Sequence, residues 1–308
     1  MQTVTFNSIE KLDFRTKESY KTLRTNLEFS GKDRKVISIT SSTPNEGKTS
    51  VSFQLALSIA EGGKKVVLVD ADLRKSVLKG RYKTNAARYG LSHYLSGQAS
   101  ISDISCKTNI PDFYVIFSGP VPPNPSELLG NDAFRLLLEY LRKEYDYVIV
   151  DTPPLGSVID GAVAAQHCDG TVIVVESGAI SYKFAQKVKE QLEKVDCRIL
   201  GVILNKVNMS GKGYYGAYYG KYYGKYYGKY YGNSEEGGLH AAVVQKGTKA
   251  AKAVKGDTGE RSHEGKNGSG SGKEKGLEEN GYPEDDMIQL DIDMVQLVED
   301  TETIEELK

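Results

Sequence analysis

Residues 36–53 read VISITSSTPNEGKTSVSF. Four of the first five are β-branched, as expected of a strand. A loop follows, then Gly-Lys-Thr, then a helical pattern of small and apolar residues. A strand that runs through a loop into Gly-Lys-Thr at the start of a helix is the closing half of a phosphate-binding loop. Backbone N–H groups and the helix N-terminus hold phosphate oxygens in such a loop. Lys48 is expected to reach the β- and γ-phosphates and Thr49 to ligate Mg²⁺, with Pro44, Asn45, Glu46, Gly47 and Ser50 completing the cradle. The usual pattern opens on a glycine; here Ser42 holds that position.

Comparable apolar runs recur outward from this stretch: VVLVD (66–70), FYVIF (113–117), YVIVD (147–151), TVIVV (171–175) and ILGVIL (199–204). Helical patterns lie between them, as in FRLLLEYLRKEY (134–145), where Phe134, Leu137, Leu138 and Leu141 share one face. This alternation predicts an α/β P-loop NTPase fold over residues 35–208, a doubly wound, mostly parallel sheet flanked by helices. Ligands of such sheets bind outside the carboxyl ends of the strands. Asp70 and Asp151 each end an apolar run, and Asp72 follows just beyond. With Thr49, these carboxylates form the expected Mg²⁺ set and a place to activate a nucleophile. A guanine reader usually carries an Asp three residues after the Asn of ILNKVN. Asn208 stands there, so ATP is preferred to GTP, and Asn205 is the expected adenine contact.

The flanks differ in character. Residues 1–34 are polar, with one helix whose stripe is Tyr20, Leu23 and Leu27. After Asn208 the packed pattern stops, and residues 213–232 read GYYGAYYGKYYGKYYGKYYG. A repeat of four with glycine in each unit suits neither helix nor strand. Its tyrosines, Tyr214, Tyr215, Tyr218, Tyr219, Tyr222, Tyr223, Tyr226, Tyr227, Tyr230 and Tyr231, are therefore expected to be exposed, with hydroxyls open to an enzyme. Residues 233–308 are rich in Gly, Ser and Lys and are expected to form a disordered linker. They end in the acidic EDDMIQLDIDMVQLVEDTETIEELK (284–308), either a docking segment or a solvated tail.

Composition narrows the functions. A net charge of −1 provides no field for nucleic acid. No apolar run reaches the roughly 18 residues of a membrane span, and the first residues lack the apolar core of a secretory signal. Cys106, Cys168 and Cys197 are far apart, which suits idle thiols in a reducing cytoplasm better than a metal or disulfide. His93, His167, His240 and His263 form no ligand spacing.

SSTPNEGKTS, VVLVDADLRKS and YVIVDTPP, in this order before a tyrosine cluster, resemble the bacterial tyrosine kinases of capsule and exopolysaccharide synthesis. PPNPSELL (122–129) and KESYKTLRTNLEFS (17–30) are similar to family segments too, so the resemblance covers about residues 10–232. It implies a cytoplasmic P-loop kinase that uses ATP and Mg²⁺ and phosphorylates its own tyrosine cluster between adjacent subunits of a ring. It assigns Lys48 and Thr49 to phosphate and Mg²⁺, and Asp70 and Asp72 to the Walker A′ site, with Asp70 accepting the tyrosine proton. Asp151 becomes the Walker B carboxylate, and Arg74 a contact to phosphate or to a neighbouring subunit. The ring is linked to a Glu-x-x-Arg-x-x-Arg pattern matched by Glu18, Lys21 and Arg24. Lys21 departs from it, keeping the charge but not the guanidinium fork. The resemblance further implies a membrane adaptor that recruits the chain to the inner face of the membrane, and a cognate tyrosine phosphatase.

Two other readings use the same residues. A partition- or division-type switch ATPase shares the loop, but that group carries an extra lysine near the loop's start, where Ser41, Ser42 and Thr43 stand here. A nucleic-acid module would stack bases on tyrosines and hold phosphates with lysines. Lys221, Lys225 and Lys229 are few beside ten tyrosines, so no nucleic-acid partner is expected.

Overall fold

A computed structural model describes residues 2–84 and 87–207. Among these residues the strands are β1 (Gln2–Thr3), β2 (Val36–Ser41), β3 (Val66–Asp70), β4 (Ser105–Lys107), β5 (Phe113–Ile116), β6 (Tyr147–Asp151), β7 (Gly170–Glu176) and β8 (Ile199–Asn205). The helices are α1 (Phe14–Phe29), α2 (Lys48–Glu61), α3 (Leu78–Arg81), α4 (Leu91–Leu95), α5 (Ile101–Ile104), α6 (Pro125–Leu129), α7 (Asp132–Glu144), α8 (Asp160–Ala165) and α9 (Tyr182–Glu193). The strands form one sheet in the order β1-β4-β5-β3-β6-β2-β7-β8. It is parallel from β5 to β8, while β4 runs antiparallel to β5. This is the expected P-loop fold.

The unbroken apolar runs follow from burial on both faces. Along β3, Val66 and Leu68 face the core shared with α1 and α2, and Val67 and Val69 face the core shared with α4 and α7. In β6, Ile149 faces the first core, and Val148 and Val150 the second. A third cluster joins α8, α9 and β7 through Leu155, Ala162, Ile173, Val188 and Leu192. The six expected strands appear within one residue of their expected ends. β1 and β4 were not expected, because strands so short carry no readable period.

The N-terminal segment is not set apart from this core. Asp13 caps α1 by accepting from Thr16 N at 3.0 Å. Leu23 and Leu27 are buried, and Tyr20 packs beside them. Burial pushes the Tyr20 hydroxyl up to about 12. Phe6 meets Phe53 of α2 edge-on at 4.9 Å, and Phe53 stacks on Tyr82 at 3.7 Å. Arg24 Nη1 donates to Ser58 O at 2.6 Å, in the last turn of α2. A Cβ on Gly62 would lie 2.6 Å from that nitrogen, so glycine keeps the approach open. Of the three residues matched to the ring pattern, Arg24 is thus turned into its own chain. Glu18 and Lys21 pair with each other at 2.6 Å on the outer face of α1.

Candidate active site

Sheet order brings the separated motifs together. β6 lies between β3 and β2, so Asp70 stands directly opposite Asp151, and Asp151 opposite Ile39 of the strand that enters the loop. The chain leaving β6 is laid along that entry. Thr152 N donates to Ile39 O at 3.0 Å, Leu155 N to Ser41 O at 2.9 Å, and Gly156 N to Ser42 O at 3.0 Å.

The loop takes its shape from two left-handed residues, Asn45 (φ 72°) and Gly47 (φ 96°). At Gly47 a Cβ would lie 2.2 Å from Asn205 Nδ2, so only glycine fits. Ser42 does not have a positive φ, which explains how serine can stand where the pattern has glycine. Its hydroxyl is buried without a hydrogen-bond partner. Pro44 and Asn45 are exposed on the rim, whereas Glu46 is buried. The Glu46 carboxylate accepts from Thr43 N at 2.7 Å and braces the loop from inside. Ser50 Oγ accepts a close hydrogen bond from Arg81 Nη1.

Lys48 heads α2 inside a carboxylate cluster. Its Nζ lies 3.2 Å from Asp72 Oδ2, 3.4 Å from Thr49 Oγ1 and 3.8 Å from Asp151 Oδ1. Burial works against its charge, but Asp151 and Asp72 outweigh this and hold the amine above the ordinary lysine range. Asp70 is buried, and burial together with the Asp151 carboxylate pushes it up to about 7, although Ser76 Oγ donates to its Oδ2. Asp151 is raised by burial as well, and Lys48 offsets part of this. Two acids perturbed by desolvation and by each other beside a buried lysine mark a site of proton or phosphoryl chemistry.

The three carboxylates of the expected Mg²⁺ set, Asp70, Asp72 and Asp151, do not meet at one point. Among the described residues no three acidic, imidazole or thiol side chains converge to hold one ion. Asp72 is engaged by Lys48 and by Lys75 N at 2.9 Å, and Asp70 by Ser76. Asp151 Oδ2, in contrast, is buried without a partner, and Thr49 hydrogen-bonds the same carboxylate. One carboxylate oxygen and one hydroxyl suit Mg²⁺, which keeps waters and phosphate oxygens as its remaining ligands.

Arg74 is directed at its own chain. Its Nε lies 2.7 Å from Asp160 Oδ2 and its Nη2 3.0 Å from Asp160 Oδ1, while Ser126 Oγ donates to Asp160 Oδ1 at 2.7 Å. This ties the Asp70–Asp72 loop to α6 and α8. Burial alone would raise the Asp160 carboxyl, but Arg74 and Ser126 outweigh it and hold the group below the usual range. Arg74→Ala would leave this buried carboxylate without its cation. The expected cost is about 2 kcal/mol in urea unfolding at pH 7, less than for a fully buried pair because Arg74 is half exposed. A lowered folded value means the contribution is present above the ordinary aspartate range and lost below it. The gap between wild type and Arg74→Ala should therefore close toward pH 3.

Ser76, Arg81, Glu176 and Lys206 join the site without having been singled out. Ser76 sits inside the quoted VVLVDADLRKS, and Lys206 directly follows Asn205, but nothing in their spacing shows what they touch. Asn205 Nδ2 donates to Glu46 O at 2.8 Å. Tyr214 to Tyr231 lie outside the described residues.

A family model described as an AAA domain (AAA_31) matches residues 34–204. Tyrosine-protein kinase CpsD of Streptococcus agalactiae is 46% identical over 200 residues, which cover 65% of this chain and 87% of that one. The chain belongs to the bacterial tyrosine kinase family. The kinase is also 39% identical over 204 residues to tyrosine-protein kinase YwqD of Bacillus subtilis, covering 65% of this chain and 86% of that one. The solved kinase domain of Escherichia coli tyrosine kinase ETK matches its fold with a TM-score of 0.61 at 37% identity, covering 65% of this chain and 78% of that domain. The site is therefore that of an ATP-binding protein-tyrosine kinase, and the reading as a switch ATPase without kinase activity falls away.

Proposed function

We propose that the kinase transfers the γ-phosphoryl group of ATP to the tyrosines of its own repeat, Tyr214 to Tyr231, on an adjacent copy. The observation that carries this is the placement of Asp70. It is a buried carboxyl held up to about 7, in register with Asp151 and beside the Lys48 cluster. A tyrosine hydroxyl titrates near 10 and is neutral at pH 7, so it benefits from a carboxylate that can accept its proton. Asp70 takes the proton, the phenolic oxygen bonds to the γ-phosphorus, and the bond to the β–γ bridging oxygen breaks to release ADP. Lys48 and the α2 N-terminus neutralise the phosphates, and Mg²⁺, held by Thr49 and Asp151, adds charge neutralisation when bound.

Among the described residues no helix is long and apolar enough to cross a membrane. The resemblance supports recruitment to the inner face of the membrane by an adaptor, removal of phosphate by a cognate tyrosine phosphatase, and control of capsule or exopolysaccharide synthesis and export. Glu18 and Lys21 remain candidates for the contact between copies in a ring.

The test uses Mg-ATP, with the adaptor supplied, and maps phosphotyrosine by mass spectrometry. Full-length Lys48→Met is mixed with wild type lacking residues 209–308. Phosphate on the mutant's repeat is expected and shows transfer between copies. An unlabelled mutant repeat in that mixture, beside a labelled repeat on full-length wild type assayed alone, would mean that each copy modifies itself.

A further inference from the structure

The last residue of β8 and the one after it grip the phosphate loop from outside. Asn205 Nδ2 donates to Glu46 O at 2.8 Å. Lys206 Nζ donates to Asn45 O at 2.8 Å and pairs with Glu176 Oε2, at the end of β7, at 2.7 Å. In a trans peptide the C=O and N–H point in opposite directions. The carbonyls of Asn45 and Glu46 share their peptide planes with the N–H groups of Glu46 and Gly47. Drawing both carbonyls toward β8 turns both N–H groups toward the opposite side of the loop, in the run whose amides cradle phosphate. The backbone angles agree: Asn45, Gly47 and Lys206 all have positive φ, at 72°, 96° and 58°. Glu176 braces the arrangement a second time, its N–H donating to Glu46 Oε1 at 3.4 Å.

We propose that Lys206, with Asn205, is a positioning residue of the ATP site, holding two peptide planes of the loop in their phosphate-accepting orientation before nucleotide arrives. The inference rests on the reading of this loop as the nucleotide site. Lys206 is tied to Glu176 and to a carbonyl, so it acts through the loop and not as a second cation on the phosphates. Its pair with Glu176 is partly exposed, and such pairs add little to global stability. A loop that must reorder on binding loses affinity. Removal of Lys206 should therefore show in nucleotide affinity and leave the fold intact.

The experiment is calorimetric titration of the full-length kinase with ADP, beside kcat and KM for ATP. Lys206→Met is expected to weaken ADP binding about tenfold, the range of one hydrogen bond to a charged donor, and to raise KM for ATP in parallel. The value of kcat at saturating ATP and the melting temperature should stay near wild type. Lys206→Arg should recover most of the affinity, which a purely structural role would not require. Wild-type ADP affinity in folded Lys206→Met would overturn the proposal, as would Lys206→Arg binding as weakly as Lys206→Met. If Lys206→Met does not fold, Glu176→Gln decides, since it releases the lysine without removing it: weaker ADP binding supports the latch, and unchanged binding overturns it. A wild-type chain that bound no ADP would remove the nucleotide reading itself and the inference with it.

Discussion

Replacing Lys48 with methionine is expected to reduce tyrosine phosphorylation by about a thousandfold, the scale of losing one preorganised charge from a phosphoryl-transfer site. Such transfer asks the protein for positioning and charge neutralisation and for little covalent work. Lys48 is the cation that Asp72 and Asp151 both face. Methionine fills the same stem volume without the charge, so the phosphates lose their partner and the buried carboxylates lose theirs. Removing one member of a buried ion pair costs about 3–5 kcal/mol. For a domain of this size that is a fall of about 10 °C in melting temperature. The fall should be smaller at pH 5.5 than at pH 8, because Asp70, pushed up to about 7, takes up a proton and relieves its repulsion with Asp151. Activity assayed well below the mutant's melting temperature separates lost chemistry from lost fold. Phosphorylation within tenfold of wild type under those conditions would show that Lys48 does not hold the transferring phosphate.

Asp70→Asn should disable the enzyme and stabilise the nucleotide-free protein. Loss of a general base removes about 10²- to 10⁴-fold of rate. The stability effect has the opposite sign. Asp70 titrates at about 7 in the fold against an ordinary value of 3.8, so between those pH values the folded chain holds a proton that the unfolded chain has released. The stability from this group is full below the ordinary value, falls as pH rises, and is lost by about 7. Asparagine keeps the shape, can still accept from Ser76, and carries no charge. Above pH 7 the variant should be more stable by about 2–4 kcal/mol, with a gap that widens from pH 5 to pH 8. Urea unfolding at the two pH values measures it. Parallel stability curves would mean that Asp70 is ionised throughout in the fold, and the account of its environment would be wrong. The buried charge is thus a cost in stability at the point where the proposed transfer needs a base.

The fold class, six of the eight strands described and the three nucleotide motifs are legible in the sequence alone. These are local in chain order: VISIT, VVLVD and YVIVD read as strands because each is a short run rich in β-branched residues. Gly47, Lys48 and Thr49 are legible because a phosphate loop needs those residue types at that spacing. Asp70 and Asp151 are legible because each ends such a run. The tertiary structure decided what each side chain meets. Sheet order places β6 between β3 and β2, which sets Asp70 against Asp151 and both beside Lys48, and no local pattern carries strand order. The same holds for Arg74, engaged by an aspartate 86 residues away, and for Lys206, whose target in the loop is 161 residues away. The resemblance places Arg24 in a pattern linked to the ring, and the fold has it holding Ser58 O on α2. A charged side chain announces its charge in the sequence. Its partner depends on which backbone the packing of other elements brings within hydrogen-bond reach.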